Sequence, residues 1–125
     1  IAIYDMMQFI QPDVETYITG FAASIASVIS QAASAGRRYM MPNSRIMVHQ
    51  PLGDASGSAA DAEISLNEML HYKKLIANIY HTHSTAGLDE EYFLNLMDRD
   101  CYFGAERALE IGFVDRVIER GQRIL

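Results

Sequence analysis

The sequence is poor in three features, each of which would indicate a particular class of protein. Its one cysteine, Cys101, cannot form an internal disulfide, so nothing in it indicates an oxidising compartment. Ten Lys and Arg against 16 Asp and Glu give a net charge of −6, whereas a surface for nucleic acid or an anionic membrane needs a basic face. No apolar run approaches the roughly 20 residues that cross a bilayer. With 50% hydrophobic residues, the composition predicts a soluble, acidic, globular domain.

Several motifs are missing as well. The sequence contains no Gly-rich phosphate loop, no second cysteine for a zinc cluster, no internal repeat and no low-complexity tract. It begins with Ile1 to Asp5, which is neither an initiator methionine nor a charged targeting segment. We therefore expect residues 1–125 to form a single domain that lacks its N-terminal part.

Strand-like and helix-like segments alternate along the chain. Periodicity and breakers predict helices over 1–10, 24–35, 61–82, 88–96 and 104–111. The same signals predict strands over 14–19, 39–41, 46–48, 101–103 and 113–118, with a turn at 20–23 and a flexible connection at 53–60. Alternation of this kind is typical of an α/β fold.

Ser24 is the first residue with a possible chemical role. It follows a strand and a turn and stands in the first turn of a predicted helix. Such a position exposes the hydroxyl and directs free backbone N–H groups at an incoming oxyanion. The alternative is a serine that only caps the helix.

His49 and two aspartates are the matching candidates for proton transfer. His49 ends a predicted strand, and its near-neutral intrinsic pKa suits proton exchange with a serine. Asp98 and Asp100 flank Arg99, and a carboxylate there could orient an imidazole. Each of these side chains could equally have only a structural or surface role.

The remaining histidines and the cysteine indicate less. His81 and His83 are two apart, so on a helix they point about 200° apart and make a poor metal pair. With His71, we expect them to be solvated helix residues. Cys101 lies in an apolar run, so we expect it to pack rather than react.

Five blocks of sequence together resemble the ClpP family of caseinolytic serine peptidases. The blocks are Ile3–Ile10, Gly20–Ser24, Pro42–Gly53, Arg99-Asp100 before Ala105–Ala108, and Gly112–Asp115. The likeness is collinear and covers nearly the whole chain. It implies an α/β fold of ClpP/crotonase type, built from repeated strand and helix units with a protruding helical handle over residues 61–82.

The resemblance assigns a role to each candidate for chemistry. It implies that Ser24 is the nucleophile, that His49 is the general base and then the acid, and that Asp100 is the orienting carboxylate. Asp100 is preferred to Asp98 because it keeps the family's spacing to the following strand. The backbone N–H of Ile25 would be one oxyanion donor.

The resemblance also implies binding surfaces. The cleft for an extended substrate would be bordered by Gln50, Pro51, Leu52 and Gly53. The contact with an opposing ring would be made by Asp98 and Arg99, and the handle would interlock the two rings. The cleft that receives loops of an unfoldase would include Phe9, Tyr39 and Met41.

The implied function is a serine endopeptidase that hydrolyses unfolded polypeptides inside two stacked heptameric rings, fed by an AAA+ unfoldase. No metal or organic cofactor is implied, and the compartment would be a bacterial cytoplasm or an organelle interior. The family's Gly-rich segment, which supplies a second oxyanion donor, would lie upstream of Ile1. Residues 25–27 read Ile-Ala-Ser where the family usually has Met-Gly-Ala. The alternatives are a noncatalytic assembly subunit and, more distantly, a crotonase-like acyl-CoA enzyme.

Overall fold

The computed structural model describes residues 1–122, which form two three-stranded sheets and five helices. The helices are α1 (Ala2–Phe9), α2 (Ile25–Ser30), α3 (Ala59–His83), α4 (Glu90–Leu96) and α5 (Ala105–Glu110). The strands are β1 (Thr16–Ile18), β2 (Phe21–Ala23), β3 (Arg38–Met40), β4 (Arg45–Val48), β5 (Cys101–Gly104) and β6 (Arg116–Val117). The first sheet has the order β1-β3-β6 and is parallel throughout, and the second has the order β2-β4-β5. The predicted α/β alternation is confirmed.

Pairing within the second sheet brings three chain segments to one edge. β2 runs parallel to β4 with Ala23 opposite Met47, so both strands end at the same edge. β5 runs antiparallel to β4 with Cys101 opposite Val48, so β5 begins at that edge. The residues that follow β2 and β4 and precede β5 are Ser24, His49 and Asp100. The topology therefore places the three predicted triad residues together.

The predicted turn over residues 20–23 is wrong, because three of its residues form β2. The turn is confined to Gly20, whose φ of 75° suits glycine. The carbonyl of Gly20 accepts a hydrogen bond from Arg45 N at 2.8 Å, which begins the pairing of β2 with β4. Ala22 and Ala23 give only a weak strand signal on their own, and β4 supplies the strand with which they pair.

The helix predicted over 24–35 is too long, because α2 ends at Ser30. The backbone N–H groups of Gln31 and Ala32 bond carbonyls three residues back, which tightens the chain out of the α-helix. The strand predicted over 113–118 is also shorter. The N–H groups of Phe113 and Val114 bond the Ala108 carbonyl at the end of α5, which leaves only Arg116–Val117 as β6.

The hydrophobic core joins both sheets to the second half of α3. Its largest buried side chains include three aromatic rings, and the centroid of Phe113 lies 4.9 Å from Tyr80 and 5.8 Å from Phe93. In α3 only Ala77, Ile79 and Tyr80 are buried. Leu75 and Ile76 pack against the core while partly exposed, so only residues 59–74 of the helix predicted as the handle lie outside the core.

His83 is not the solvated residue that the sequence predicted. It is half-buried, and its Nε2 lies 2.7 Å from the hydroxyl of Tyr4, which ties the end of α3 to α1. Burial, together with the positive charge of Arg38, lowers the pKa of His83 below its usual 6.5. His81 makes a different contact, from Nδ1 to the carbonyl of Leu88 at 2.9 Å.

This depressed pKa predicts a pH-dependent contribution of His83 to stability. Below pH 6.5 the unfolded chain binds the proton more readily than the folded chain, so the free energy of unfolding falls as the pH drops. We expect His83→Gln to flatten the decrease in Tm between pH 7 and pH 5. The matched control is His71→Gln on the exposed surface of α3, which should keep the wild-type slope. Equal slopes for wild type and His83→Gln would contradict the prediction.

Candidate active site

The edge of the second sheet holds a serine, a histidine and an aspartate in series. Ser24 Oγ lies 2.7 Å from His49 Nε2, which is hydrogen-bond distance. On the other side of the ring, His49 Nδ1 lies 3.5 Å from Asp100 Oδ1. The His49 side chain is 15% exposed and that of Asp100 is 64% exposed. The structure thus brings together the three residues that the sequence predicted for catalysis.

The backbone of Ser24 is strained. With φ at 55° and ψ at −121°, it is the one non-glycine residue of the described chain with a positive φ. Such strain persists only where the surroundings hold it, and it concentrates at functional positions. A serine on a sharp strand-to-helix turn is also how many hydrolases expose a nucleophile. The backbone N–H of Ser24 donates to the carbonyl of Met47 at 2.9 Å, which fixes the turn against β4.

The hydroxyl of Ser24 does not cap α2. Ser24 occupies the N-cap position, yet its side chain accepts no hydrogen bond from the helix. The hydroxyl faces His49 instead. Ile25 is the first residue of α2, so its N–H is one of those that have no acceptor within the helix. That N–H is the predicted oxyanion donor.

A largely apolar cavity of about 410 Å³ opens beside Ser24. Pro51 and Leu52, two of the four residues predicted to bind substrate, line it. The lining residues that the sequence did not predict for the site are Ile1, Val28 of α2, and Tyr72, Ile76 and Tyr80 of α3. The last three are spaced four residues apart and share one face of α3, and spacing alone does not say which neighbour that face contacts.

The other two predicted substrate-binding residues have different surroundings. Gln50 lines a second cavity of about 320 Å³ together with Asp98, Arg99 and Asp100, and its Nε2 donates to the carbonyl of Asp98 at 2.8 Å. Gly53 lies against α3, where a Cβ would stand 2.7 Å from the sulfur of Met69. Residues 50–53 therefore connect the site to α3.

The residues predicted for ring and unfoldase contacts lie at the surface. Asp98 and Arg99 are exposed, and Asp98 Oδ1 lies 3.6 Å from Nζ of Lys73 within the chain. Phe9 ends α1 with 82% of its surface exposed. Tyr39 and Met41 are half-buried, and the Tyr39 ring stacks on that of Tyr17 at 4.9 Å. Their roles in assembly remain predictions.

Three further observations concern metals, membranes and the single cysteine. Within residues 1–122, no three or more His, Cys, Asp or Glu side chains are grouped so that they could hold a metal ion. In the same part of the chain, every helix is too short or too polar to cross a lipid bilayer. Cys101 packs against the core from β5, opposite Val48.

A serine and a histidine in contact at the end of parallel strands, on an α/β fold, define a candidate hydrolase site. Comparison with known proteins identifies the family: the Clp protease family model matches residues 1–121. The ATP-dependent Clp protease proteolytic subunit of Porphyromonas gingivalis is 44% identical over 121 residues, which cover 97% of this chain and 54% of that protein. The chain belongs to the Clp protease family and spans about half the length of this relative.

Proposed function

We propose that this chain is the proteolytic subunit of a Clp-type protease and hydrolyses peptide bonds through an acyl-enzyme on Ser24. The observation that carries the proposal is the 2.7 Å separation of Ser24 Oγ from His49 Nε2, at a strained strand-to-helix turn. Family membership supports the same chemistry, because the relative is named as a proteolytic subunit.

In the proposed reaction, His49 Nε2 takes the proton of Ser24 Oγ as the oxygen attacks the peptide carbonyl. The N–H of Ile25 donates to the oxyanion that forms, and a helix N-terminus favours negative charge there. His49 then gives the proton to the leaving amine. In the second half of the reaction, His49 takes a proton from the water that attacks the acyl-enzyme. It returns that proton to Ser24 Oγ as the bond from Ser24 to the acyl group breaks. Asp100 orients the imidazole and stabilises its cationic form. Its 3.5 Å separation from His49 is one that substrate binding can shorten.

The proposed substrate is an extended, unfolded polypeptide. Residues 50–53 have no helix or strand structure of their own, and Pro51 and Leu52 lie beside Ser24, so a substrate can pair with this segment as an added strand. The apolar cavity beside Ser24 accepts an apolar side chain next to the scissile bond.

The proposal includes assembly into two stacked heptameric rings served by an AAA+ unfoldase, in a bacterial cytoplasm or an organelle interior. Exposed apolar side chains on the first half of α3, among them Ile64 and Leu66, support a subunit interface there. Asp98 and Arg99 contribute the inter-ring contact, and Phe9, Tyr39 and Met41 the unfoldase cleft.

The test is intact mass after exposure to a fluorophosphonate probe. We expect a single adduct on the wild-type protein and none on Ser24→Ala, because only an activated serine reacts with such a probe. Ser65→Ala, on the first half of α3, is the matched control and should keep the adduct. Absence of an adduct from the folded wild-type protein would overturn the proposal and favour a noncatalytic assembly subunit. The exposure of Asp100 and its 3.5 Å distance from His49 are the observations that favour that second function.

A further inference from the structure

Two buried hydroxyl groups connect the core to the backbone of Ser24. The hydroxyl of Ser27 donates to the Ser24 carbonyl at 2.5 Å, and it lies 2.7 Å from the hydroxyl of Tyr80. A serine hydroxyl has one proton, so Ser27 must accept from Tyr80 while it donates to Ser24. Ser27 is fully buried and Tyr80 nearly so. The chain of hydrogen bonds therefore runs from Tyr80 through Ser27 to Ser24.

The Ser24 carbonyl belongs to the same peptide group as the N–H of Ile25. Because a peptide group is planar and trans, its C=O and N–H point in opposite directions and rotate together. Ser27 holds this carbonyl twice, since its backbone N–H also donates to it, at 3.0 Å. Whatever fixes the Ser24 carbonyl thus also fixes the direction of the Ile25 N–H.

Tyr80 anchors this arrangement to the buried core of the molecule. Its ring packs against Phe113, with centroids 4.9 Å apart, and against Phe93 at 6.2 Å. The hydroxyl that reaches Ser27 is consequently held by the core. Ser24 has a strained backbone, and strain of this kind needs such support.

We propose that Ser27 and Tyr80 are positioning residues that aim the Ile25 N–H at the reacting oxygen. This inference rests on the proposed peptidase function. Tyr80 also lines the apolar cavity beside Ser24, but its hydroxyl contacts Ser27. Through these two hydroxyls, Ser27 and Tyr80 act on the peptide group between Ser24 and Ile25. Their effect is on the transition state, where the oxyanion forms, rather than on substrate binding.

Three variants test the proposal: Ser27→Ala, Tyr80→Phe and the double variant. We expect Ser27→Ala and the double variant to lower kcat for a short fluorogenic peptide about tenfold with KM unchanged, because complete loss of an oxyanion donor costs about 10²–10³. Tyr80→Phe should have a smaller effect, since the bond from Ser27 to Ser24 remains. Ser30→Ala is the matched control: its hydroxyl makes the same kind of bond one turn further along α2, to the carbonyl of Ser27, and its kcat should stay near wild type.

The double variant separates positioning from stability. Ser27→Ala leaves the Tyr80 hydroxyl buried without its partner, which lowers Tm, and adding Tyr80→Phe removes that unpaired group. We expect the double variant to regain Tm but not kcat. Recovery of kcat together with Tm, or an unchanged kcat in the folded double variant, would overturn the proposal. A wild-type protein that does not react with the fluorophosphonate probe would instead overturn the proposed function.

Discussion

Replacing His49 by alanine is expected to lower kcat for peptide hydrolysis by about 10⁶, a loss typical of removing the base or the nucleophile of such a triad. Ser24 Oγ has His49 Nε2 as its hydrogen-bond partner at 2.7 Å, so without the imidazole no group takes the serine proton. The measurement is the hydrolysis rate of a fluorogenic peptide, with active-site concentration taken from titration with the fluorophosphonate probe on wild type.

A matched control and a double variant make this prediction specific. His71→Ala changes an exposed histidine of α3 and should leave kcat unchanged. Residues that act as one unit have non-additive effects, so Ser24→Ala with His49→Ala should be no slower than either single variant. A His49→Ala protein with more than a hundredth of the wild-type rate would mean that His49 is not the base. If the fold losses in kcat of the two single variants multiplied in the double variant, Ser24 and His49 would serve different steps.

Asp100 is expected to contribute differently, because within the triad it lies against the imidazole and not against Ser24. We expect its loss to affect the orientation of His49 and the stability of the imidazolium, whereas Ser24 and His49 stay in contact. The structure thus predicts an order of importance within the triad. Ser24 and His49 come first, and Asp100 follows.

The sequence predicted which residues meet at the candidate site better than it predicted the side chains that support them. Ser24, His49 and Asp100 each lie next to a strand end, and parallel pairing of β2 with β4 is enough to bring the first two together. The family resemblance predicts a role for the same three residues. Such positions can be predicted because they depend on local patterns and on one topological rule.

The supporting contacts could not be predicted because they join residues far apart in the sequence. Ser27 and Tyr80 are separated by 53 positions, and Tyr4 and His83 by 79. A serine in a helix or a tyrosine in an apolar stripe carries no local sign of its partner. The existence of β2 could not be predicted for the same reason, since pairing with β4 decides it.

Arg38 and Asp115 form the buried ion pair whose loss should most affect stability. The Arg38 guanidinium donates from Nε and from one terminal nitrogen to the two Asp115 oxygens, at 3.0 and 2.8 Å. Its other terminal nitrogen donates to Gln31 Oε1 and to the carbonyl of Gly112, both at 2.8 Å. The side chains are 5% and 13% exposed. The pair therefore ties β3 to the segment that leads into β6.

Asp115→Ala is expected to lower the free energy of unfolding by about 3–5 kcal/mol, because removing one partner leaves the buried guanidinium charge uncompensated. Urea unfolding measures the change. The adjacent Arg37 provides the control: its contact with Asp13, at 2.9 Å, lies at the surface, with side chains 42% and 61% exposed. Asp13→Ala should therefore cost less than about 1 kcal/mol. An equally small loss for Asp115→Ala would mean that Gln31 and Gly112 alone satisfy Arg38.

The same pair predicts a dependence on pH at the acid end. Burial by itself would raise the pKa of Asp115, but the hydrogen bonds and the positive charge of Arg38 outweigh burial and lower that pKa below 3.8. A carboxylate with a depressed pKa stabilises the fold above its unfolded pKa, and this stabilisation is lost as the pH falls through the folded value. The difference in Tm between wild type and Asp115→Ala should consequently be constant near neutral pH and should narrow below about pH 4. A difference that stays constant into strong acid would show that the charge of Asp115 contributes nothing to the stability of the sheet.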